Sequence, residues 1–336
     1  MECRCFHMSH RLKIGELEEV YLTDEEIWRI FTIILSNKSR KSSTYKYALM
    51  KSIIENLYQV NDDYELTYDQ LAYVFAKVYW NLVITHNLDN HNRGHRAGVV
   101  TALQDFQMKY NIPSDFNFDK INHTLQLKIV SKVKSIMKIN VFGALYGDTK
   151  HQFYGFDHKR EYFKMNSRIH EFMMTYQRLL VHLTNYHMAK MIEQLNEVPS
   201  INYLLGKVES IAKRSSLKPY ENILLNYFEA TCFYCGRDLS KTKVTQVDHF
   251  IPWSFVQSDQ IWNLVLACNR CNSSKSDKLP DRQYLNLIVE RNQQLEEKVE
   301  EDKQSLLKNY KNRKIILLYD YSIKNGFDEI WIPNRY

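Results

Sequence analysis

Two Cys-x-x-Cys pairs, Cys232/Cys235 and Cys268/Cys271, constrain this chain more than any other feature. A pair of thiolates on one tight turn grips one side of a tetrahedral Zn²⁺, and two such pairs close a four-cysteine site. Unrelated buried cysteines have no reason to take that paired spacing. Four thiolates leave no open position for water, so the expected zinc is structural. The 32 residues between the pairs exceed the roughly 15–20 of a simple zinc ribbon. The clip must therefore enclose more than a bare hairpin.

The enclosed residues carry chemistry. QVDHFIP, residues 246–252, starts as a β-like run and turns at Pro252. Asp248 and His249 are adjacent, so on a strand they point to opposite faces; a bend here lets both reach one site. Histidine is suited to take a proton from water near neutral pH. Aspartate offers Mg²⁺ a hard oxygen. Asn272 follows Cys271 and opens a short helix that Pro280 ends. Asn272 and Lys275 share one face of that helix. The amide oxygen of Asn272 suits the same cation, and Lys275 offers a positive charge to a phosphate. Zinc would hold the Cys268/Cys271 helix against the Cys232/Cys235 turn and so bring Asn272 towards Asp248.

The stretch resembles an HNH endonuclease domain, the zinc-stapled ββα-metal finger. VDHFIPWS corresponds to the first motif segment, WNLVLACNRCN to the second and third, and KSD (Lys275–Asp277) to the tail. Order and spacing are also similar to the HNH domain of CRISPR effector nucleases, which lacks the cysteines. The resemblance covers roughly 50 residues, with every part in register. It implies that His249 is the general base, that Asp248 and Asn272 hold one divalent metal (Mg²⁺ or Mn²⁺), and that Asn263 braces the histidine loop. It also implies phosphodiester hydrolysis leaving 5′-phosphate and 3′-hydroxyl ends.

Composition narrows the setting. At 44% hydrophobic and 25% charged, the chain can bury a real core. No apolar run approaches the roughly 18 residues of a membrane span, and MECRCFHMSH has no apolar signal core. With four of six cysteines assigned to zinc, the pattern is that of a reducing compartment, and a cytoplasmic location is expected. A net charge of +6 fits a polyanionic partner. No P-loop or dinucleotide fingerprint is present, so neither ATP nor nicotinamide use is expected.

Along the chain, residues 1–228 read as a mainly α region, 229–282 as a small α+β HNH module, and 283–336 as a helix and tail packing back on the helical region. Thr23 with Glu26 signals a capping box, before an apolar face of Ile27, Ile30, Phe31 and Ile34. Further helices are expected over Thr44–Tyr58, after Thr67/Gln70, over Val99–Tyr110 and about Asp119–Lys138. A short hairpin or joint is expected in 141–163, and one long helix over Ser167–Leu195. More helices follow over Ser200–Arg214 and Tyr220–Phe228, with a hinge at SSLKP between them. His170, His182 and His187 read as packing residues. Cys3, Cys5, His7 and His10 offer a weak second metal set. Lys38, Arg40 and Lys41, and the loop of His91, Arg93, His95 and Arg96, read as polar surface or phosphate contacts. Lys128, Lys132, Lys134 and Lys138 read as a wet helix face or a rail for DNA. KIILLYD cannot be assigned by periodicity.

TYKYALMKSIIENL is similar to helical segments preceding HNH domains in bacterial restriction and phage-defence nucleases. The expected function is thus a metal-dependent DNA endonuclease in such a setting. An HNH-type RNase or nuclease toxin, and a non-catalytic zinc adaptor, are the alternatives. The helical region is expected to position DNA, sense a trigger or dock a protein partner. One HNH site cuts one strand at a time, so double-strand breaks would imply a homodimer or two encounters.

Overall fold

The computed structural model describes residues 12–36, 39, 41–88, 98–196, 216–240, 245–256, 259–299, 307 and 310–333. The Cys3–His10 set, Lys38, Arg40, the His91–Arg96 loop and the helix expected over Ser200–Arg214 lie outside the described residues. The chain forms two units, Met1–Lys213 and Arg214–Tyr336.

The first unit is helices around a small antiparallel sheet. Its helices are α1 (Asp24–Leu35), α2 (Tyr45–Glu55), α3 (Tyr68–Trp80), α4 (Gly98–Lys109), α5 (His123–Asn140), α6 (Phe142–Asp148), α7 (Ser167–Thr175) and α8 (Gln177–Asn196). Both expected capping boxes form. Thr23 N–H donates to the Glu26 carboxylate at 2.8 Å, and Thr67 N–H to the Gln70 amide oxygen at 2.7 Å. Each box supplies partners for the unpaired N–H groups of a first helical turn. The apolar stripe of α1 is buried as its spacing requires. The long helix expected from Ser167 breaks at Tyr176, where α7 ends and α8 begins.

The sheet orders β1 (Ile14–Gly15), β3 (Tyr154–Asp157), β4 (Tyr162–Met165) and β2 (Glu65–Thr67), with every pairing antiparallel. The joint expected in 141–163 is thus a helix and then a hairpin. Gly155 is required there, because a Cβ would come within 2.9 Å of Leu17 N and 3.0 Å of Gly15 O. The core is strongly aromatic: Phe31, Tyr58, Phe75, Tyr79, Trp80, Phe142, Phe153 and Tyr154 are fully buried. Many of the chain's 23 tyrosines are therefore packing residues, each with a polar handle to satisfy. Tyr79, for instance, shares a 2.7 Å hydrogen bond with Thr44.

The lysine rail is broken. Lys134 and Lys138 bond to Glu161 at 2.8 and 2.6 Å, and Lys134 also pairs with Asp69 at 3.0 Å. Two of its four charges are thereby neutralised within the protein. Lys41 likewise turns onto the carbonyls of Ser36 and Ser39. His170 bonds the Leu57 carbonyl and His187 stacks on Tyr47, as packing residues do.

The second unit opens with α9 (Lys218–Tyr227), which has Pro219 in its first turn. Of the SSLKP segment, expected as a hinge, Lys218 and Pro219 already lie in this helix. Strands β5 (Gln246–His249) and β6 (Leu264–Ala267) pair antiparallel, with Asp248 opposite Val265 and His249 opposite Leu264. Between them lie α10 (Trp253–Val256) and a 3₁₀ turn, Ile261–Asn263. Helix α11 (Asn269–Lys275) completes a ββα order. Strand β7 (Leu279–Pro280) pairs in parallel with β8 (Ile330–Trp331).

The segment after Pro280 belongs to the second unit and builds onto this module. Helix α12 (Tyr284–Lys298) places Asn292, fully buried, 2.9 Å from the Trp262 carbonyl. Tyr284 donates to the Tyr234 carbonyl at 3.2 Å. KIILLYD lies in α13 (Asn312–Lys324), whose Tyr319 donates to the Pro280 carbonyl at 2.8 Å. Among the described residues, no helix is long and apolar enough to cross a membrane.

Candidate active site and cysteine cluster

The four cysteine sulfurs all lie within 4.8 Å of one another. Cys235 Sγ and Cys268 Sγ are 3.8 Å apart. Sulfurs about 2.3 Å from one central zinc, at tetrahedral angles, would be separated by about 3.8 Å, so the cluster fits zinc in both donor type and size. Each pair is preorganised by its own backbone. In the first, Gly236 N–H donates to the Cys232 carbonyl at 2.9 Å, and Gly236 has φ 70°, a left-handed conformation that glycine adopts without strain. In the second, Cys268 Sγ accepts the Cys271 N–H at 3.4 Å and caps α11. Burial pushes the Cys232 and Cys271 thiols up from their ordinary value. A cation at the centre is what lets such crowded thiols ionise.

Strand β5 delivers Asp248 and His249, and the chain then bends sharply at Phe250–Ile251. Asn263 clamps that bend. Its amide accepts from Ile251 N–H at 2.9 Å and donates to the Ile251 carbonyl at 3.0 Å, while its own carbonyl accepts from Phe250 N–H at 2.8 Å. Arg291 and Asn292 of α12 grip the carbonyls just before Asn263 in turn. The bend lets neighbours that start on opposite faces of a strand reach one place. Asp248, His249 and Asn272 all line a single cleft of about 780 Å³, whose rim includes Lys218, Ser240 and Gln246.

The electrostatics around Asp248 are tight. Its Oδ2 accepts the Tyr234 hydroxyl at 2.6 Å and lies 3.0 Å from Lys275 Nζ. Lys275 also donates to the His249 carbonyl at 2.7 Å and is completely buried. Its ammonium is therefore consumed within the protein, and the phosphate contact expected for it from the helical spacing is not available. Residue spacing gives a face of a helix; it does not say whether that face meets solvent or core.

Three polar residues escaped the sequence reading. Tyr234 lies between two cysteines and belongs to no motif segment quoted above. Asp259 is 2.8 Å from His249 Nε2 through its Oδ1. Tyr220, on α9, donates to the Asp259 carbonyl at 2.9 Å. Burial and the Asp259 carboxylate push its hydroxyl up to about 12. A carboxylate ten residues beyond a candidate base, across a proline turn, gives no periodic signal; only the fold brings the two together.

Residues 232–281 match the family model described as HNH endonuclease. That segment contains every cysteine of the cluster, Asp248, His249, Asn263 and Asn272. No curated protein and no solved structure matches the chain significantly.

Proposed function

We propose that the HNH domain at residues 232–281 hydrolyses phosphodiester bonds in DNA, with a divalent metal beside a separate structural zinc. The observation that carries this reading is the shared cleft of Asp248, His249 and Asn272 within the segment that matches the HNH endonucleases. A histidine, a carboxylate and a carboxamide in one concavity are the parts a metal-assisted phosphodiester hydrolysis needs.

His249 takes a proton from the attacking water. The water oxygen bonds to phosphorus, the bond to the 3′ oxygen breaks, and that oxygen acquires a proton from solvent. Asp248 and Asn272 would hold Mg²⁺ or Mn²⁺, which when bound supplies Lewis-acid neutralisation of the phosphate. Both protein contacts to Asp248 fall on Oδ2, which would leave Oδ1 for the metal. Lys275 acts here as a brace, holding the carboxylate and the His249 carbonyl together. Asn263 holds the bend that presents the base.

A restriction or phage-defence setting is part of the proposal. The helical unit would then position DNA or receive a protein activator, and pairing of two chains would allow both strands to be cut. The test is cleavage of supercoiled plasmid by the purified chain with Mg²⁺ or Mn²⁺, beside His249→Ala. Cleavage by the wild type alone supports the reading. Degradation of RNA with plasmid untouched would replace DNA by RNA as substrate. Equal cleavage by both proteins would remove His249 from the chemistry.

A further inference from the structure

The HNH motif accounts for His249 but not for what holds its ring. Nε2 meets Oδ1 of Asp259 at 2.8 Å, with the two side chains only 4% and 14% exposed. An ionised carboxylate accepts and cannot donate, so in a neutral imidazole the proton must reside on Nε2. The lone pair then resides on Nδ1.

Asp259 is itself pinned on both sides. The Tyr220 hydroxyl holds its carbonyl at 2.9 Å from helix α9, which packs on β5 and β6 and lies outside the matched segment. One residue further on, the Gln260 carbonyl accepts the Asn263 N–H at 2.8 Å, tying Asp259 to the turn that clamps the histidine loop. A residue whose backbone is so fixed, and whose nearly buried carboxylate meets the far nitrogen of a candidate base, has the arrangement of an orienting acid.

We propose that Asp259 is the positioning residue of His249. It sets the ring orientation and the Nε2–H tautomer, so that Nδ1 is the atom that receives the proton from water, and Tyr220 keeps Asp259 in reach. The inference rests on reading His249 as the base. The water proton ends on Nδ1, the Nε2 proton stays in place, and the Asp259 carboxylate stabilises the imidazolium so formed.

The decisive measurement is the tautomer of His249 in the full, zinc-loaded chain without Mg²⁺. It is read from two-bond ¹H–¹⁵N correlations of ¹⁵N-histidine protein and assigned with His249→Gln. The wild type should carry the proton on Nε2, and Asp259→Ala should lose that preference. In plasmid cleavage, Asp259→Asn should lower the maximal rate by about 10- to 100-fold with half-saturating DNA nearly unchanged. Tyr220→Phe should lower it by a smaller factor in the same way. A wild-type proton on Nδ1 would overturn the proposal, as would an unchanged tautomer and rate in the Asp259 variants. Zinc content and melting identify a variant that has failed to fold; the wild-type tautomer and Tyr220→Phe then decide. Cleavage that survives His249→Ala would refute the base reading alone, and the tautomer result would stand apart from it.

Discussion

The Tyr234 hydroxyl donates to Asp248 Oδ2 at 2.6 Å from within the Cys232–Cys235 turn. On the other side, Lys275, one helical turn beyond Cys271, reaches the same oxygen at 3.0 Å. Both supports of the proposed metal-binding carboxylate thus come from segments that the cysteine cluster ties together. A structural zinc can in this way govern a site it does not touch, because ligands are aimed by what holds them.

Removing the phenol should therefore weaken divalent-metal binding without touching the cysteines. Tyr234→Phe is expected to lower Mn²⁺ affinity by about 10-fold and stability by about 1–3 kcal/mol, with zinc content unchanged. Calorimetric Mn²⁺ titration and urea melts check both. Wild-type affinity in this variant would show that the phenol contributes packing only.

The buried ammonium gives a larger effect. Lys275→Met leaves Asp248 without its cation and the His249 carbonyl without a donor. A loss of about 3–5 kcal/mol is expected, as for other broken buried pairs. Adding Asp248→Leu should cost less than the sum of the two single changes, since the stranded charge is gone. Urea denaturation of the three variants measures the coupling.

Zinc removal should act on the second unit as a folding event. Cys268→Ser removes a ligand and the α11 cap at once. It is expected to abolish stable zinc binding and lower the melting temperature of this unit. Chelation of the wild type should release one zinc and expose four reactive thiols. Zinc assay with thiol titration tests the stoichiometry; release without new thiols would place the metal elsewhere.

Acid should weaken the first unit through Glu161. Its carboxyl is held below the ordinary 4.5 by hydrogen bonds from Lys134 and then Lys138. A depressed carboxyl contributes stability that is present above its unfolded value and is lost as pH falls through its folded value. Urea midpoints from neutral pH down to about pH 3 should fall more steeply for the wild type than for Glu161→Gln. Parallel curves would show that the lysine pair adds no pH-linked stability.

Ser276, directly after α11, has φ 48° and ψ −121°. Few side chains tolerate that region, and glycine does. Ser276→Gly is expected to raise stability by about 1 kcal/mol, and Ser276→Ala should bring no such gain. Denaturant midpoints decide between relief of strain and no strain at all.

The legible parts of this protein were those written locally. Capping boxes at Thr23/Glu26 and Thr67/Gln70, the stripe on α1 and the paired cysteines each state their geometry within a few residues. The motif singled out Asn263, and the fold adds its double hydrogen bond to the Ile251 peptide. What could not be read depended on distant burial. Lys275 has the spacing of a phosphate contact but faces the core. KIILLYD suits strand or helix equally, and packing against the β7 segment selects helix. Asp259 and Tyr220 acquire meaning only once α9 lies beside β5. The lysines of α5 look like a rail until Glu161 arrives from the β3–β4 hairpin.

The parallel pairing of Leu279–Pro280 with Ile330–Trp331 imposes an order in time. The cysteines, Asp248, His249 and Asn272 all leave the ribosome before Trp331 is made. Yet Trp331 packs edge-on against Tyr234, ring centres 5.1 Å apart, and Tyr234 holds Asp248. A nascent chain can close its cysteine cluster while the carboxylate support is still unfinished. The direction of synthesis thus places the cysteine cluster ahead of the support that Trp331 gives to Tyr234.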